Sequence, residues 1–247
     1  YILGPLGLPI AMIDAEGAIT TYERDADGRV IHQVDPDPDG VGGEDPYETF
    51  WVFDSFGNLL EQTLPDDSVR TWEYDPVWNI PTSYTDERGL VTLYDVNTTT
   101  GLVDSIRLVV GEVDDLINLE EDDVVTSFTY TAAPTDPGDP PFGLVETETD
   151  PLGRITVYTH NARGQVTSVT YADGTTDEAT AFTYYNSDGT VDYELDELGR
   201  RTDFDYDLLG RLILQTLPDP DAGGPLARPE IEFEYDTWNR LTKQIDP

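Results

Sequence analysis

Residues 201–212 read RTDFDYDLLGRL and join a strand pattern to a turn pattern. From Arg201 to Tyr206, threonine and aromatic residues alternate with charged residues, so one face of a strand would be aromatic and the other charged. Asp207 then opens a turn, because an aspartate side chain accepts hydrogen bonds from main-chain N–H groups a few residues ahead. Gly210 supplies positive φ without a Cβ penalty. The stretch therefore predicts a β-strand that reverses tightly into a second strand.

Segments of this kind recur along the chain. Clear copies are WVFDSFGNL (51–59), WEYDPVWNI (72–80) and FEYDTWNRL (233–241), and looser ones are YERDADGRV (22–30), LYDVNTTTGLV (93–103), YTHNARGQV (158–166) and FTYYNSDGTV (182–191). A second type of turn lies between them, at 14–17, 86–89, 150–153, 172–174 and 196–199. Asn79 and Asn239 replace glycine at the turn position, and asparagine tolerates positive φ well. The copies therefore share one local structure.

The spacing of the turns is regular. Gly153 to Gly164 spans eleven residues and Gly164 to Gly174 spans ten, so a full period has about 21 residues and two reversals. Reversals at that interval leave room for strands of about seven residues. The chain is therefore predicted to be all-β, with about 20 strands in about ten repeats.

The number of strands also bears on the shape. Twenty strands at a spacing of roughly 4.8 Å would form a strip about 95 Å wide. Open twisted sheets rarely exceed about ten strands without curling or splitting. We therefore expect a long antiparallel sheet of hairpins that curls into a spiral or a hollow shell segment, with its outermost strands available to neighbouring copies.

The composition excludes several classes of function. The 247 residues include 51 Asp plus Glu against 13 Lys plus Arg, which gives a net charge of −38. Such a chain repels phosphate backbones and anionic headgroups, so we expect no nucleic-acid partner and no membrane insertion. The absence of cysteine excludes disulfides, cysteine-ligated metals and a thiol nucleophile.

No group of residues points to catalysis. The acids fall at turns or on the outward face of strands, so their recurrence has a structural explanation and no glycosidase pair stands out. His32 and His160 are the two histidines, and His160, at the position of a strand aromatic, is interpreted as a packed or surface residue. No GxSxG elbow and no phosphate-binding glycine loop occurs. We therefore expect no enzyme activity, no catalytic residues and no organic cofactor.

One acidic loop has the composition of a calcium site. In DPDPDGVGGED (35–45), Asp35, Asp37 and Asp39 match the DxDxDG opening of calcium-binding loops, in which oxygens at alternate positions converge on the ion. Pro46 stands where the final glutamate would be. Ca²⁺ is therefore the one candidate cofactor, and the alternative is a solvated acidic loop between strands.

The array is predicted to be single, from residue 1 to 247, with acidic loop insertions near 35–46, 111–123, 134–141 and 218–229. Within the second insertion, residues 114–123 are the one stretch that a short helix would suit. The arginines that follow turn glycines, such as Arg211, are expected to pair with the aspartate of a neighbouring turn. Stacked repeats would then carry an Arg–Asp ladder along one edge.

The repeated segments resemble the YD repeat of the Rhs (rearrangement hot spot) family. Its hallmark is a Tyr-Asp step followed two residues later by Gly-Arg-Leu. Residues 206–212 match it fully, and residues 235–241 match it with asparagine in place of glycine. The DPLGR segment at 150–154 is similar to the second turn of that family. The resemblance extends from about residue 14 to residue 247.

The resemblance implies a function. In that family, YD-repeat hairpins form a shell, as in polymorphic toxins, the C components of insecticidal toxin complexes and teneurins. The chain is therefore expected to be a non-enzymatic structural segment of a secreted or cell-surface protein, part of a β-shell that encloses a C-terminal toxin or other cargo. Its expected partners are further repeats of the same chain or neighbouring copies, and the enclosed toxin. The DPxGLxGG-type segment linked to self-cleavage is absent here, so we expect a piece of a longer protein.

A second hypothesis is an extracellular adhesin or a fibre-forming binding module that contacts glycans or proteins. The four Trp and 14 Tyr would then offer a sugar-stacking surface. Their position in phase on one strand face instead favours the lining of a core or lumen. The two hypotheses differ in the region expected after the repeats in the complete protein. A shell would be succeeded by a cap and a toxin domain, and an adhesin by a cell-wall anchor or further binding domains.

Overall fold

The computed structural model describes residues 1–37, 46–110 and 123–247. This part of the chain contains twenty β-strands and no helix. Most strands have five or six residues, and consecutive strands pair antiparallel within each of the two series of ten. The predicted all-β class, the number of strands and the hairpin array are confirmed.

The chain divides into two compact units, Tyr1–Val125 and Thr126–Pro247. The strands of the first unit are β1 (Ile2–Leu3), β2 (Pro9–Ile13), β3 (Ile19–Arg24), β4 (Val30–Val34), β5 (Glu48–Phe53), β6 (Leu59–Thr63), β7 (Val69–Tyr74), β8 (Pro81–Thr85), β9 (Val91–Val96) and β10 (Val103–Leu108). They pair in sequence order from β1 to β10.

The second unit repeats this order of pairing. Its strands are β11 (Val124–Tyr130, which begins at the end of the first unit), β12 (Val145–Thr149), β13 (Ile155–His160), β14 (Val166–Tyr171), β15 (Ala179–Tyr185), β16 (Val191–Leu195), β17 (Arg201–Tyr206), β18 (Leu212–Thr216), β19 (Glu230–Tyr235) and β20 (Leu241–Ile245). They also pair in sequence order, from β11 to β20.

The turns have the predicted backbone. In the turn after β17, the N–H of Gly210 donates to the carbonyl of Asp207 at 2.9 Å, and the N–H of Asp207 donates to the carbonyl of Arg211 at 3.0 Å. Gly210 has φ of 74°, and Asn239 has φ of 63° at the equivalent position. The predicted exchange of glycine for asparagine at positive φ is therefore confirmed.

The two types of turn differ in the strands that flank them. Turns that follow a YD-type step, here called first-type turns, sit beside a register shift: Asp205 faces Leu214, whereas Tyr206 faces Leu212. The pairing beside the turn at 196–200, a second-type turn, is regular. Because a β-bulge bends its strand and increases the twist, it redirects the side chain next to it. Within each series of consecutively paired strands, the first-type turns lie at one edge of the sheet and the second-type turns lie at the other.

One face of the sheet, here called the YD face, carries the YD aromatics and the residues two positions before them. In β19, Ile231, Phe233 and Tyr235 on this face are half-buried, whereas the alternating glutamates are exposed. The predicted aromatic and acidic faces are therefore present in this strand.

The expectation that the aromatic residues share one face is wrong in part. Phe182 and Tyr184 lie on the face opposite the YD face, each 40% exposed, and Tyr193 is paired with Tyr184 across the strands. Phe50 in β5 lies on that face as well. The physical reason is that Tyr185 is the YD tyrosine of β15. Because successive side chains of a strand point to opposite faces, Tyr184 and Phe182 point away from the YD face.

Little of the described chain is buried. Ala11 and Val109 are the only apolar side chains in these ranges that are fully buried. A globular domain normally covers the apolar face of a sheet with a second layer. Within the described residues, the sheet of each unit has no such layer.

The sheet of each unit is open and uncurled. Each unit holds about ten strands, which is near the number that an open twisted sheet tolerates before it curls. The predicted curling is therefore not seen in this segment, and it stays an expectation for a longer array.

The insertions are described in part. Residues 38–45 and 111–122 lie outside the described residues, and so does nearly all of the stretch 114–123 that a helix was expected to suit. The insertions at 134–141 and 218–229 form loops with no strand. No helix in the described ranges has the length and apolar character to cross a membrane.

Candidate functional site: the turn edges of the repeat

Each turn is organised by the carboxylate that opens it. Asp207 Oδ1 accepts the main-chain N–H groups of Leu209 at 2.9 Å and Arg211 at 3.0 Å, and its Oδ2 accepts Nε–H of Arg211 at 2.7 Å. The side-chain hydrogen bond from Arg211 is the main reason that the pKa of Asp207 lies below its ordinary value. The carboxylate is therefore held ionised inside the turn that it shapes.

The same pair recurs in both types of turn. It joins Asp25 to Arg29, Asp150 to Arg154, Asp196 to Arg200 and Asp236 to Arg240, at N···O distances of 2.6–2.7 Å. The predicted ladder of ion pairs between the arginine of one turn and the aspartate of the next is therefore wrong, although Arg211 Nη1 does donate to the main-chain carbonyl of Asp236 at 3.4 Å. The reversal brings residues four apart side by side, so the guanidinium reaches the carboxylate of its own turn first.

Neighbouring first-type turns of the second unit are linked in another way. Gln165 Nε2 donates to the carbonyl of Gly189 at 2.8 Å. Arg211 Nη1 donates to the side-chain oxygen of Asn239 at 3.1 Å. A ladder along this edge therefore exists, but it joins side-chain N–H groups to neutral oxygens of the next turn.

The first unit shows the same kind of link. Asn58 Nδ2 donates to Asn79 Oδ1 at 2.5 Å, which connects two successive first-type turns. Trp78 Nε1 donates to the carbonyl of Thr98 at 3.1 Å, in the following turn. These indole and amide groups differ from the arginines of other repeats, so the geometry of the edge does not depend on one residue type.

The YD tyrosine closes the same edge. Its hydroxyl donates to a main-chain carbonyl in the preceding repeat. The acceptor is the residue that begins the strand after the preceding first-type turn. The bonds are Tyr74 to Leu59 at 3.1 Å, Tyr185 to Val166 at 2.7 Å and Tyr235 to Leu212 at 2.9 Å. Burial raises the pKa of Tyr74 and Tyr185. The alternating pattern of the sequence indicated only a packing role for these tyrosines. The feature of the sequence that could have revealed this hydrogen bond is the preference for tyrosine over phenylalanine before the aspartate that opens the turn.

The proposed calcium ligands are only partly described. Asp35 and Asp37 lie just after β4, and Asp39 lies outside the described residues. Gln33 Nε2 donates to Asp35 Oδ1 at 2.7 Å, and the N–H of Asp35 donates to the carbonyl of Tyr47 at 2.8 Å. The described ranges contain no group of three or more metal-ligating side chains. Calcium binding by this loop stays a prediction.

The two histidines occupy different settings. His160 ends β13, and its Nδ1 is buried, which corresponds to the packed one of the two expected settings. His32 lies on the face opposite the YD face, with Nε2 at 3.0 Å from Glu48 and Nδ1 at 3.7 Å from Glu23. Its ring stacks on Phe50 with the centroids 4.2 Å apart. His32 thus joins three adjacent strands.

A buried ion pair holds the end of one insertion. Arg107 Nη1 and Asp123 Oδ2 are 3.2 Å apart, and both side chains are 2% exposed. Asp123 Oδ1 also accepts the N–H of Val110 at 2.7 Å. Because removing one partner would leave the other charge buried, the pair fixes the chain where it returns from the insertion at 111–123.

A single arginine anchors the loop at 218–229. Arg228 donates from Nε to the carbonyl of Leu217 at 2.8 Å, from Nη1 to Asp203 Oδ2 at 2.6 Å, and from Nη2 to the carbonyls of Arg201 and Thr216 at 2.6 and 3.0 Å. The loop and the turn at 196–200 border an open cleft of about 870 Å³. No catalytic acid–base pair is apparent among the side chains that line it.

A shallower groove of about 350 Å³ lies near Phe182 and Tyr184. Thr159 and Ser168 line the groove with hydroxyl groups, and its lining includes no charged side chain. Tyr184 stacks on Tyr193 with the centroids 4.2 Å apart. Tyr193 therefore covers one face of the Tyr184 ring, which leaves Tyr184 less free to stack on a ligand.

Comparisons with known proteins agree with this geometry. The sequence model of the RHS Repeat family matches residues 5–39, 53–91 and 141–176. No curated protein matches the chain at a significant level.

Solved structures match the fold. The TcdB2-TccC3-TEV crystal structure is similar with a TM-score of 0.68 and 16% identity, over 98% of this chain and 12% of the other. TcdB2-TccC3 without its hypervariable C-terminal region gives 0.53 and 18%, over 98% and 15%. The Tc holotoxin pore of Photorhabdus luminescens gives 0.52 and 16%, over 96% and 14%.

The chain spans only 12–15% of the length of these structures. At this level of identity they show a shared fold. The family match covers three separate segments, and the hairpins of those segments have the turns that the YD pattern predicts. The three matched segments and the geometry of their hairpins therefore support an Rhs/YD-repeat family for this chain.

Proposed function

We propose that this chain is a non-enzymatic wall segment of a β-shell that encloses a C-terminal toxin or other cargo. The observation that carries the proposal is the uncovered sheet: the YD face holds half-buried aromatics such as Phe233 and Tyr235, yet no second layer lies on it within the described residues. An apolar sheet face requires a partner layer. In a shell, that face would line a lumen and meet the cargo.

The contacts of the repeat suit a wall. In several repeats a hairpin is tied to its neighbour by a tyrosine hydroxyl, here called the tyrosine clasp, as in Tyr185 to Val166, and by links between turns, as in Gln165 to Gly189. Stability of this kind is a sum of nearest-neighbour terms, so an array grows by adding repeats without a new core. A wall of variable length is the natural use of such an array.

The similar structures support the proposal that the shell encloses a cargo. They are structures of a toxin complex and of a holotoxin pore, and one is of a form without a hypervariable C-terminal region. By analogy, we propose that the present protein is secreted or displayed at the cell surface, and that the region after the repeats varies with the cargo. Further repeats of the same chain are its first partners in this proposal.

Limited proteolysis of the complete natural protein tests the proposal. We expect the region C-terminal to the repeats to resist protease while the repeats are folded, and to become sensitive at the urea concentration that unfolds them. The same C-terminal region expressed alone is the matched control and should be cleaved at once. Equal cleavage rates in the two settings would reject enclosure.

The second candidate is the adhesin, and the uncharged groove beside Phe182 and Tyr184 favours it. Binding of the chain to neutral oligosaccharides, measured by calorimetry, separates the two functions. Saturable binding that is lost in Tyr184→Ala, but kept in Tyr171→Ala, would favour the adhesin over the wall segment.

A further inference from the structure

Three consecutive strands of the second unit contain no Asp, Glu, Lys or Arg. They are β13, β14 and β15, with the sequences ITVYTH, VTSVTY and ATAFTYY. Hydroxyl groups join these strands: Thr159 Oγ1 lies 2.7 Å from Ser168 Oγ, and Thr170 Oγ1 lies 2.9 Å from Thr180 Oγ1. Cross-strand pairs of this kind stabilise a sheet without any charge. In a chain of net charge −38, β13–β15 therefore pair through neutral contacts.

The strands β17 and β19 have the opposite character. On the face opposite the YD face, Asp205, Glu230 and Glu232 are exposed, and none of them has an ion pair in the described ranges. Asp205 and Glu232 lie on either side of Leu214 of β18, so they are about 9.6 Å apart. Glu230 and Glu232 are two residues apart on β19, or about 6.8 Å. These like charges repel one another across the paired strands.

The basic residues of this region already have partners. Arg201 and Arg228 both hold Asp203, and Lys243 holds Glu234 at 3.1 Å. Every other arginine of the chain also contacts a carboxylate or donates to a main-chain carbonyl. The charge on β17 and β19 is therefore balanced only by cations of the medium.

The salt concentration decides how far this repulsion reaches. The Debye length is about 30 Å at 0.01 M salt and about 3 Å at 1 M. The separations of about 7–10 Å lie between these limits, so the carboxylates repel fully in dilute medium and hardly at all in 1 M salt. Because the stability of a repeat array is a sum of nearest-neighbour terms, one part of the sheet can open while another stays folded.

We propose that ionic strength acts as a conformational switch on the second unit. At low salt, β17–β19 open locally while β13–β15 stay paired, and at high salt the carboxylates are screened and β17–β19 close. The whole array is then folded only in a medium of high ionic strength. The switch is a property of this chain alone and does not depend on the wall proposal.

Hydrogen exchange of the whole chain in 0.01 M and 1 M NaCl tests the switch. Amide protection in β18 and β19 is compared with protection in β14. Each value is referred to an unfolded peptide of the same segment in the same salt, because salt also changes the intrinsic rate of exchange. We expect protection in β18 and β19 to be at least tenfold lower at 0.01 M than at 1 M, and protection in β14 to change less than twofold.

A pair of double variants separates the strand carboxylates from the net charge. Glu230→Gln/Glu232→Gln removes two charges from β19 and should reduce its dependence on salt to less than threefold. Glu16→Gln/Glu197→Gln removes two charges from exposed turn positions and should leave the tenfold dependence intact.

Three outcomes would overturn the proposal. An equal change of protection in β14 and β19 would show that salt acts on the whole fold. Protection in β18 and β19 that does not depend on salt would show that the repulsion is too weak to open them. The same behaviour in both double variants would assign any opening of β19 to fraying of the last strands or to net charge.

Discussion

The hydroxyl of Tyr185 donates a hydrogen bond of 2.7 Å to the main-chain carbonyl of Val166, across two strands that are connected only at the opposite edge. The bond therefore closes the open end of the β14–β15 pair, where two first-type turns lie side by side. The bulge beside the YD step directs the ring towards this carbonyl. The same relationship joins Tyr235 to Leu212. It gives the tyrosine of the YD step a role that phenylalanine cannot fill.

The first prediction concerns that hydroxyl. Tyr185→Phe keeps the ring but leaves the Val166 carbonyl without this donor, so we expect a loss of about 0.5–1.5 kcal/mol in the free energy of unfolding. Urea denaturation followed by circular dichroism measures it. Tyr171→Phe is the control, because its hydroxyl makes no hydrogen bond in the described structure. Equal midpoints for the two variants would contradict the role of the clasp.

Strands and turns could be predicted from the sequence because both depend on local patterns. Alternation with period two fixes a strand, and the carboxylate and the glycine at Asp207 and Gly210 fix the turn. The order of pairing is then determined, since short reversals join consecutive strands.

Contacts between repeats could not be predicted in the same way. The guanidinium of Arg211 has two carboxylates within reach of its turn edge, and only the structure shows that it takes the nearer one, on Asp207. The position of Phe182 was missed because β15 carries two adjacent tyrosines, and the sequence does not say which of them is the YD residue. Curling depends on the accumulated twist of many strands, which no local pattern contains.

The second prediction concerns backbone strain at Gly210. A Cβ at this position meets no other atom within 4 Å, so the cost of a substitution is the cost of positive φ alone. Gly210→Val should lower the free energy of unfolding by about 1–3 kcal/mol, since a β-branched residue is strained at φ of 74°. Gly210→Asn should be nearly neutral, as Asn239 implies. Equal melting temperatures for the valine and asparagine variants would refute this account of the turn.

The third prediction concerns Arg228, which anchors the loop at 218–229. Lysine keeps the charge but cannot reproduce the four hydrogen bonds of the guanidinium, so Arg228→Lys should destabilise this region by about 1–3 kcal/mol. Thermolysin cleavage near Leu226 should then be at least fivefold faster. Arg240→Lys, whose parent side chain is 71% exposed, should leave this cleavage rate unchanged. An unaltered rate in Arg228→Lys would show that the loop is held by other contacts.

The fourth prediction concerns the loop that begins at Asp35. If Asp35, Asp37 and Asp39 bind calcium, calcium at millimolar concentration should raise the melting temperature, because a ligand that binds only the folded state stabilises it. Asp37→Ala should abolish the increase. Magnesium at the same concentration is the control for charge screening in this acidic chain. An increase of the same size with magnesium would refute a specific calcium site.

The last prediction concerns the pH dependence of the turn carboxylates. Asp207 has a pKa below its ordinary value, mainly because Arg211 donates to it. Since an aspartate in an unfolded chain titrates near about 3.9, the unfolded state binds more protons between that value and the lowered pKa. The stabilisation by Asp207 is therefore fully present above about pH 5, and it is lost as the pH falls through the folded-state value.

Asp207→Asn isolates this contribution. Asparagine makes the same turn, as Asn161 does by accepting the N–H groups of Arg163 at 2.9 Å and Gln165 at 3.1 Å. The variant lacks the charge and, because Nδ2 replaces Oδ2, also the hydrogen bond that Arg211 Nε–H donates to Asp207. We expect the wild type to melt at the higher temperature at pH 7, and the difference to shrink towards zero between pH 4 and pH 2. A difference that stays constant down to pH 2 would show that the ion pair with Arg211 contributes nothing to the turn.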